Sequence, residues 1–287
     1  MSGSFNPEHR RVKINGIHLH YAEQGRGPVM LCLHGFPEFW YCWRHLMPAF
    51  SPGFRVVAPD LRGYNLSDKP EGVAAYQLSV LVEDVQSLIQ SLDAGPITLV
   101  AHDWGGVIAW ALALRYPELI NQLVILNAPH PALFARELAN NPVQRKASAY
   151  IPMLCAPQSE AFLAKNNFKW LQALFDGCHK PSEVTSEDRR AYLEAWAQPG
   201  TLTGMVNYYR SETLGPKKVQ SGKKVPAIKV PTLVIWGEKD IYLTTGLLDG
   251  LEAYVPSLKI KRIPDATHWV LQDAPDKVNR YIREFIK

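Results

Sequence analysis

Residues 99–108 read Leu99-Val100-Ala101-His102-Asp103-Trp104-Gly105-Gly106-Val107-Ile108. An apolar run of strand type, Ile97 to Val100, passes straight into a helical pattern through the order small-x-Asp-x-small. That is the spacing of a nucleophile elbow, with Asp103 where Ser is commoner. A turn this tight holds its central residue in an unfavourable backbone conformation, so the residues two before and two after it must be small. Ala101 and Gly105 satisfy this. The turn lifts its central side chain above the carboxyl end of a sheet, beside N–H groups at a helix N-terminus. An aspartate here could also be an ordinary N-cap, so the elbow needs partners elsewhere in the chain.

On either side of this segment the chain alternates strand and helix. The first strands are Val12–Ile14 and Ile17–Tyr21, joined as a hairpin by Asn15-Gly16. Apolar runs of the kind found in parallel strands covered on both faces follow at Val29–Leu33, Arg55–Ala58, Ile97–Val100, Leu123–Leu126, Thr232–Trp236 and Leu258–Lys261. Helical patterns lie between them at Leu78–Leu92 and Val107–Tyr116, and again at Asp276–Phe285. This alternation predicts an α/β architecture: a mostly parallel sheet with helices on both faces. It fails between Pro131 and Pro226, a stretch rich in Ala, aromatics and helix formers with no strand pattern. The expected organisation is therefore a core of residues 1–130 and 227–287, carrying a helical lid of residues 131–226.

The chain has 287 residues, 47% hydrophobic and 20% charged. That leaves ample apolar surface for a core and excludes disordered, collagen-like and coiled-coil chains. A net charge of +4 is too near balance to imply a polyanion. The basic residues Lys217, Lys218, Lys223, Lys224 and Lys229 lack interleaved aromatics and read as a solvated linker, so neither nucleic acid nor membrane is an expected partner. No apolar run reaches the roughly 18 residues of a membrane helix, and no leader is evident at the start. The four cysteines (Cys32, Cys42, Cys155 and Cys178) show no CxxC or metal spacing. Cys32 reads as a small buried hydrophobe, and a cytoplasmic, reducing location is expected. No glycine-rich phosphate loop follows a strand, so no cofactor or metal is expected.

The partners of the elbow can be located by position. His34-Gly35-Phe36-Pro37-Glu38 follows the strand Val29–Leu33, where the second oxyanion-hole donor of an elbow enzyme is placed. The backbone N–H groups of Phe36 and Trp104 are the expected donors, and His34 is expected to shape this loop rather than act as a base. An acid and a histidine should follow the nucleophile in that order. Asp240 lies in a loop after Thr232–Trp236, and His268 in a loop after the last strand. Phe36, Trp40 and Trp104 are candidates for an aromatic, substrate-binding pocket wall.

These motifs, together with Ala58-Pro59-Asp60-Leu61-Arg62-Gly63-Tyr64, resemble the α/β-hydrolase superfamily and specifically its soluble epoxide hydrolases, over nearly the whole chain. Asn65 stands where that family usually has Gly, and Ala101 where Gly is usual. Asn tolerates a left-handed backbone and Ala is small, so neither departure disturbs the chemistry. The resemblance implies a small apolar epoxide and water as substrates. It also implies lid tyrosines, matched by Tyr150 in Ser148–Pro152 and Tyr209 in Asn207–Arg210, with Tyr208 the rival to Tyr209. A homodimer is allowed by the sequence but not demanded.

The nucleophile's identity limits the reaction. Serine attacking an sp³ carbon would form an ether the enzyme could not hydrolyse, whereas a carboxylate forms an ester that water activated by His268 can cleave. Asp240 would orient His268 and stabilise its imidazolium. A haloalkane or haloacid dehalogenase could use the same Asp103. Such enzymes, however, usually place Asn where this chain has Phe36, or Arg just after the nucleophile, where it has Trp104, Gly105, Gly106 and Val107. A non-catalytic small-molecule-binding member of the fold would not need the full set of Asp103, Asp240, His268, Tyr150 and Tyr209.

Overall fold

The computed structural model describes residues 4–178, 184–214 and 226–287. The hairpin strands β1 (Glu8–Ile14) and β2 (Ile17–Gln24) pair with Ile14 opposite Ile17. Asn15 and Gly16 both take positive φ, 42° and 79°, the turn that matches the right-handed twist of paired strands. The remaining strands are β3 (Val29–Leu33), β4 (Arg55–Pro59), β5 (Ile97–His102), β6 (Ile120–Leu126), β7 (Thr232–Gly237) and β8 (Leu258–Ile263). They form one eight-stranded sheet in the order β1-β2-β4-β3-β5-β6-β7-β8. Only the β1–β2 and β2–β4 pairings are antiparallel. Every residue of β3, β5 and β7 is buried; because successive side chains point to opposite faces, both faces of the central sheet are covered.

β8 departs from its expected character. It is an edge strand with alternating exposure, and its exposed Lys259 and Lys261 lie over the rings of Phe285 and Tyr281. Charged side chains on an edge discourage pairing with another chain.

The helices of the first half are α1 (Met47–Phe50), α2 (Leu78–Ser91) and α3 (Trp104–Arg115). Every described element between β6 and β7 is helical: α4 (Pro131–Asn140), α5 (Pro142–Ala147), α6 (Tyr150–Cys155), α7 (Ser159–Asp176), α8 (Ser186–Trp196) and α9 (Thr201–Leu214). α7 is broken in its middle, where Asn166, Asn167 and Phe168 hold left-handed φ values of 52°, 56° and 59°. The chain ends in α10 (Val270–Asp273) and α11 (Pro275–Phe285). No helix of the described residues is long and apolar enough to cross a membrane. Lys217, Lys218, Lys223 and Lys224 lie outside the described residues; Lys229 is exposed.

α8 and α9 are fastened to the sheet-bearing part by buried polar contacts. Arg44 pairs with Asp188 of α8 at 2.8 Å, and the Trp196 indole donates to the Pro37 carbonyl at 2.8 Å. Tyr208 of α9 donates to the Arg62 carbonyl at 2.8 Å. Gly204 meets Gly63 so closely that an added Cβ would lie 2.4 Å from its carbonyl oxygen. Only glycine permits that approach.

Candidate active site

The elbow sits between β5 and α3. Asp103 has φ 49° and ψ −121°, and although it occupies the N-cap position of α3 its carboxylate makes no capping bond. Instead Oδ1 accepts from the Phe36 amide at 2.7 Å. The need for small neighbours has a direct cause. A Cβ on Gly105 would lie 2.2 Å from the Leu33 carbonyl oxygen, and one on Gly35 would lie 2.2 Å from Asp103 Oδ1. Asn65 takes φ 38° and donates to Asp60 Oδ2 at 2.9 Å, so the turn after Gly63 and Tyr64 is retained.

Asp240 and His268 meet Asp103 at the carboxyl ends of the strands. His268 Nδ1 lies 2.7 Å from Asp240 Oδ2 and Nε2 lies 3.5 Å from Asp103 Oδ2. Asp240 Oδ1 accepts the backbone amides of Tyr242 and Leu243 at 2.8 and 2.9 Å. Burial alone would lower the His268 pKa, but the two carboxylates outweigh it and raise it to about 10. Burial likewise opposes the charge on Asp103, yet the hydrogen bond and charge of His268, helped by His102 and the Phe36 amide, hold its carboxyl below the usual range.

His34 takes the structural place expected of it. Its Nδ1 lies 2.9 Å from the Gly35 carbonyl and its Nε2 accepts from the Leu61 amide at 3.0 Å. A neutral imidazole satisfies both contacts, and burial lowers its pKa accordingly. Trp104 opens α3, so its amide is one of the first-turn N–H groups without an intrahelical acceptor.

A narrow cavity lies over this group, about 20 Å³ on a scale where one water occupies ten to fifteen. Asp103, His268 and Phe36 line it from the sheet side, and Tyr150 and Tyr209 from α6 and α9. The two tyrosine rings stand edge to face at 6.0 Å. Burial raises both phenols, and the Asp103 charge adds to the effect, so both are protonated donors at neutral pH. Tyr208 is turned away and bonded to Arg62. Residues one apart on a helix point about 100° from each other, which the sequence alone could not resolve in favour of either.

Two expected wall residues are placed differently. Trp40 begins a short 3-10 turn, where its ring stacks on Phe5 at 6.1 Å and meets His9 edge-on at 4.9 Å. It does not line the cavity. The Trp104 ring stands behind Tyr209, 5.2 Å away at 90°, and backs the wall instead of forming it. The wall is completed by Trp170 and Leu174 of α7 and by Tyr242 and Trp269, none of which the sequence reading singled out.

Two supporting groups were also missed. Asn127, at the end of β6 with φ 36°, donates to Asp240 Oδ2 at 2.8 Å and to the Gly237 carbonyl at 3.2 Å, and accepts from the Gly237 amide at 2.8 Å. Glu38, fully buried, lies 3.1 Å from His102 Nδ1 and accepts from the Tyr192 hydroxyl and the Gln272 amide. The other His102 nitrogen faces the His268 carbonyl at 2.9 Å. The signal for Glu38 was in the sequence: a carboxylate in an otherwise apolar loop needs buried partners.

The family model described as the alpha/beta hydrolase fold matches residues 28–275. "Epoxide hydrolase 4" of Mus musculus is 38% identical over 287 residues, covering 96% of this chain and 78% of that protein. "AB hydrolase superfamily protein YfhM" of Bacillus subtilis (strain 168) is 39% identical, covering 96% of each. Among solved structures, an epoxide hydrolase of Bacillus megaterium in complex with an inhibitor superposes with a TM-score of 0.91 at 37% identity, covering 96% of this chain and 99% of that one. With the sheet order, the elbow and these relatives agreeing, the chain belongs to the α/β-hydrolase fold family and, within it, to the epoxide hydrolases.

Proposed function

We propose that this protein opens small, uncharged apolar epoxides to vicinal diols through an ester on Asp103. The observation that carries this reading is one cavity lined by a carboxylate on a strained turn, a histidine between two carboxylates, and two buried phenols. Asp103 Oδ2 attacks an epoxide carbon while Oδ1 stays with the Phe36 amide. The carbon–oxygen bond breaks, and Tyr150 or Tyr209 gives its proton to the departing alkoxide. Esterification removes the negative charge that helped hold the His268 proton, so His268 passes that proton on and the tyrosine is restored. Neutral His268 then takes a proton from water, and the hydroxide adds to the ester carbonyl. The oxyanion on Oδ1 faces the Phe36 and Trp104 amides. Collapse expels the diol, which takes the remaining hydroxyl proton, and leaves Asp103 ionised and His268 charged as at the start.

Among the described residues, no Asn, Gln, Lys or Arg lines the cavity. This disfavours halide release assisted by side-chain amides and disfavours anionic substrates, while two phenols suit a leaving group that needs a proton. The helices between β6 and β7 serve as a lid, residues 131–226, over a core of residues 1–130 and 227–287, because they supply Tyr150, Tyr209, Trp170 and Leu174 to the cavity roof. None of the four cysteines is in a disulfide, which suits the reducing cytoplasm. The test is to supply styrene oxide, a bromoalkane and fluoroacetate separately and to measure diol and halide. Diol formation lost in Asp103→Asn, without halide release, supports the reading; halide without diol contradicts it.

A further inference from the structure

Tyr242 is the third tyrosine of the cavity and has no part in the proton transfers above. It follows Asp240 by two residues, and its backbone is fixed on both sides. Its amide donates to Asp240 Oδ1 at 2.8 Å, and its carbonyl accepts from the Gln144 side chain of α5, also at 2.8 Å. Gln144 is fully buried, and its Oε1 accepts from the Thr244 amide and hydroxyl at 2.9 Å. The ring is therefore carried by a loop with little freedom to yield. It stands edge-on to His268, 5.4 Å away at 80°, and edge-on to Tyr150, 5.3 Å away at 76°. It fills the corner between the base and a proton-donating phenol, next to the space where the attacked carbon must lie. The walls formed by Trp170 and Leu174 belong to a helix broken just before them, so room for a substituent is made more easily there than at Tyr242.

Resting on the proposed epoxide hydrolysis, we propose that the Tyr242 ring determines substrate class: it excludes a substituent on the attacked carbon, so the enzyme takes epoxides with a terminal CH₂ and rejects those substituted at both carbons. One misplaced methyl group in a rigid pocket costs roughly 10- to 200-fold in kcat/KM. The test compares styrene oxide with trans-β-methylstyrene oxide, which differs by that one methyl. The wild-type enzyme should favour styrene oxide by at least about tenfold. Tyr242→Ala should shrink that ratio by about tenfold or more, with the gain in kcat/KM on the methylated substrate. Tyr242→Phe should keep the wild-type ratio, because the ring and not the hydroxyl does the excluding. Should Tyr242→Ala fail to fold, Tyr242→Leu removes the ring edge and makes the same comparison.

An unchanged ratio in the ring-deleting variant, with diol still formed by the wild type, overturns the proposal alone. So does a ratio lost already in Tyr242→Phe, which would assign the effect to the hydroxyl. Absence of diol from the wild type with both substrates overturns the epoxide reading, and the proposal with it.

Discussion

Nε2 of His268 lies 3.5 Å from Oδ2 of Asp103, the oxygen of that carboxylate that the Phe36 amide does not hold. The charge of the imidazole is therefore tied to that of the nucleophile. Desolvation opposes the imidazolium, and the carboxylates of Asp240 and Asp103 raise its pKa to about 10. Deleting the Asp103 charge should lower it. NMR titration of His268 should show an imidazolium through neutral pH in the wild type and a clearly lower pKa in Asp103→Asn. The sign for stability follows. The pKa is raised above the ordinary 6.5, so the stabilisation is fully present below 6.5 and is lost as pH rises through about 10. Thermal melts between pH 8 and pH 11 should show a steeper alkaline loss in the wild type than in Asp103→Asn.

In the proposed mechanism Tyr150 and Tyr209 are the two candidate proton donors. Tyr150→Phe and Tyr209→Phe should each slow ester formation, and the double variant should lose about 10²- to 10⁴-fold in the single-turnover rate. Tyr208→Phe should act differently. It strands the buried Arg62 carbonyl now bonded at 2.8 Å, costing about 1 kcal/mol of stability with far less effect on the rate. Rapid-quench kinetics and thermal melts separate the two effects.

Asn127 donates to Asp240 and is not itself among the residues that line the cavity. Asn127→Ala should leave Asp240 less firmly placed and Gly237 without its side-chain partner, destabilising the fold by about 1–3 kcal/mol. In the proposed mechanism Asp240 orients His268 as the base, so kcat should fall more than KM changes. A loss confined to Tm, with unaltered kcat, would show that Asn127 supports the strand ends only.

His130 is buried at the start of α4, stacked on Tyr254 at 4.6 Å and edge-on to Trp110 at 5.5 Å. Neither of its ring nitrogens has a hydrogen-bond partner among the described residues, and burial lowers its pKa from 6.5 to about 4. The neutral form is thus favoured in the fold. The stability tied to it is fully present above 6.5 and is lost as pH falls toward 4, up to about 3 kcal/mol. His130→Phe keeps the aromatic stack and should flatten the acid side of the stability profile between pH 6.5 and pH 4. An acid side as steep as that of the wild type would contradict this assignment.

The parts of the molecule legible in the sequence are those fixed by local pattern. Strands fall in all eight places read from the sequence: the hairpin was marked by Asn15-Gly16, and β3, β5 and β7 by unbroken apolar runs, because a strand covered on both faces must be apolar at every position. Gly105 marked the elbow because its close approach to the Leu33 carbonyl tolerates no side chain, and Ala101 marked it by being small. Asp103, Asp240 and His268 could be ordered along the chain because each follows a strand whose carboxyl end faces the same side of the sheet. The cavity wall was less legible. Trp170, Leu174 and Trp269 face it only because of how α7 and the loop after β8 pack, and the break at Asn166–Phe168 has no apolar period to announce it. Trp40 was misplaced for the same reason: the sequence places it near the oxyanion loop, but the 3-10 turn directs its ring toward Phe5 and His9. Asn127 belongs to no motif the sequence offers, and only the fold brings its side chain to the Asp240 carboxylate.

The central claim is that oxygen reaches the diol from Asp103, and water reaches Asp103. One turnover in H₂¹⁸O with enzyme in excess over styrene oxide tests this directly. Mass spectrometry of the digested protein should find ¹⁸O in the peptide carrying Asp103, and the diol of that first turnover should be unlabelled. Label in the diol alone, with none in that peptide, would mean that water attacks the epoxide directly and would contradict the ester on Asp103.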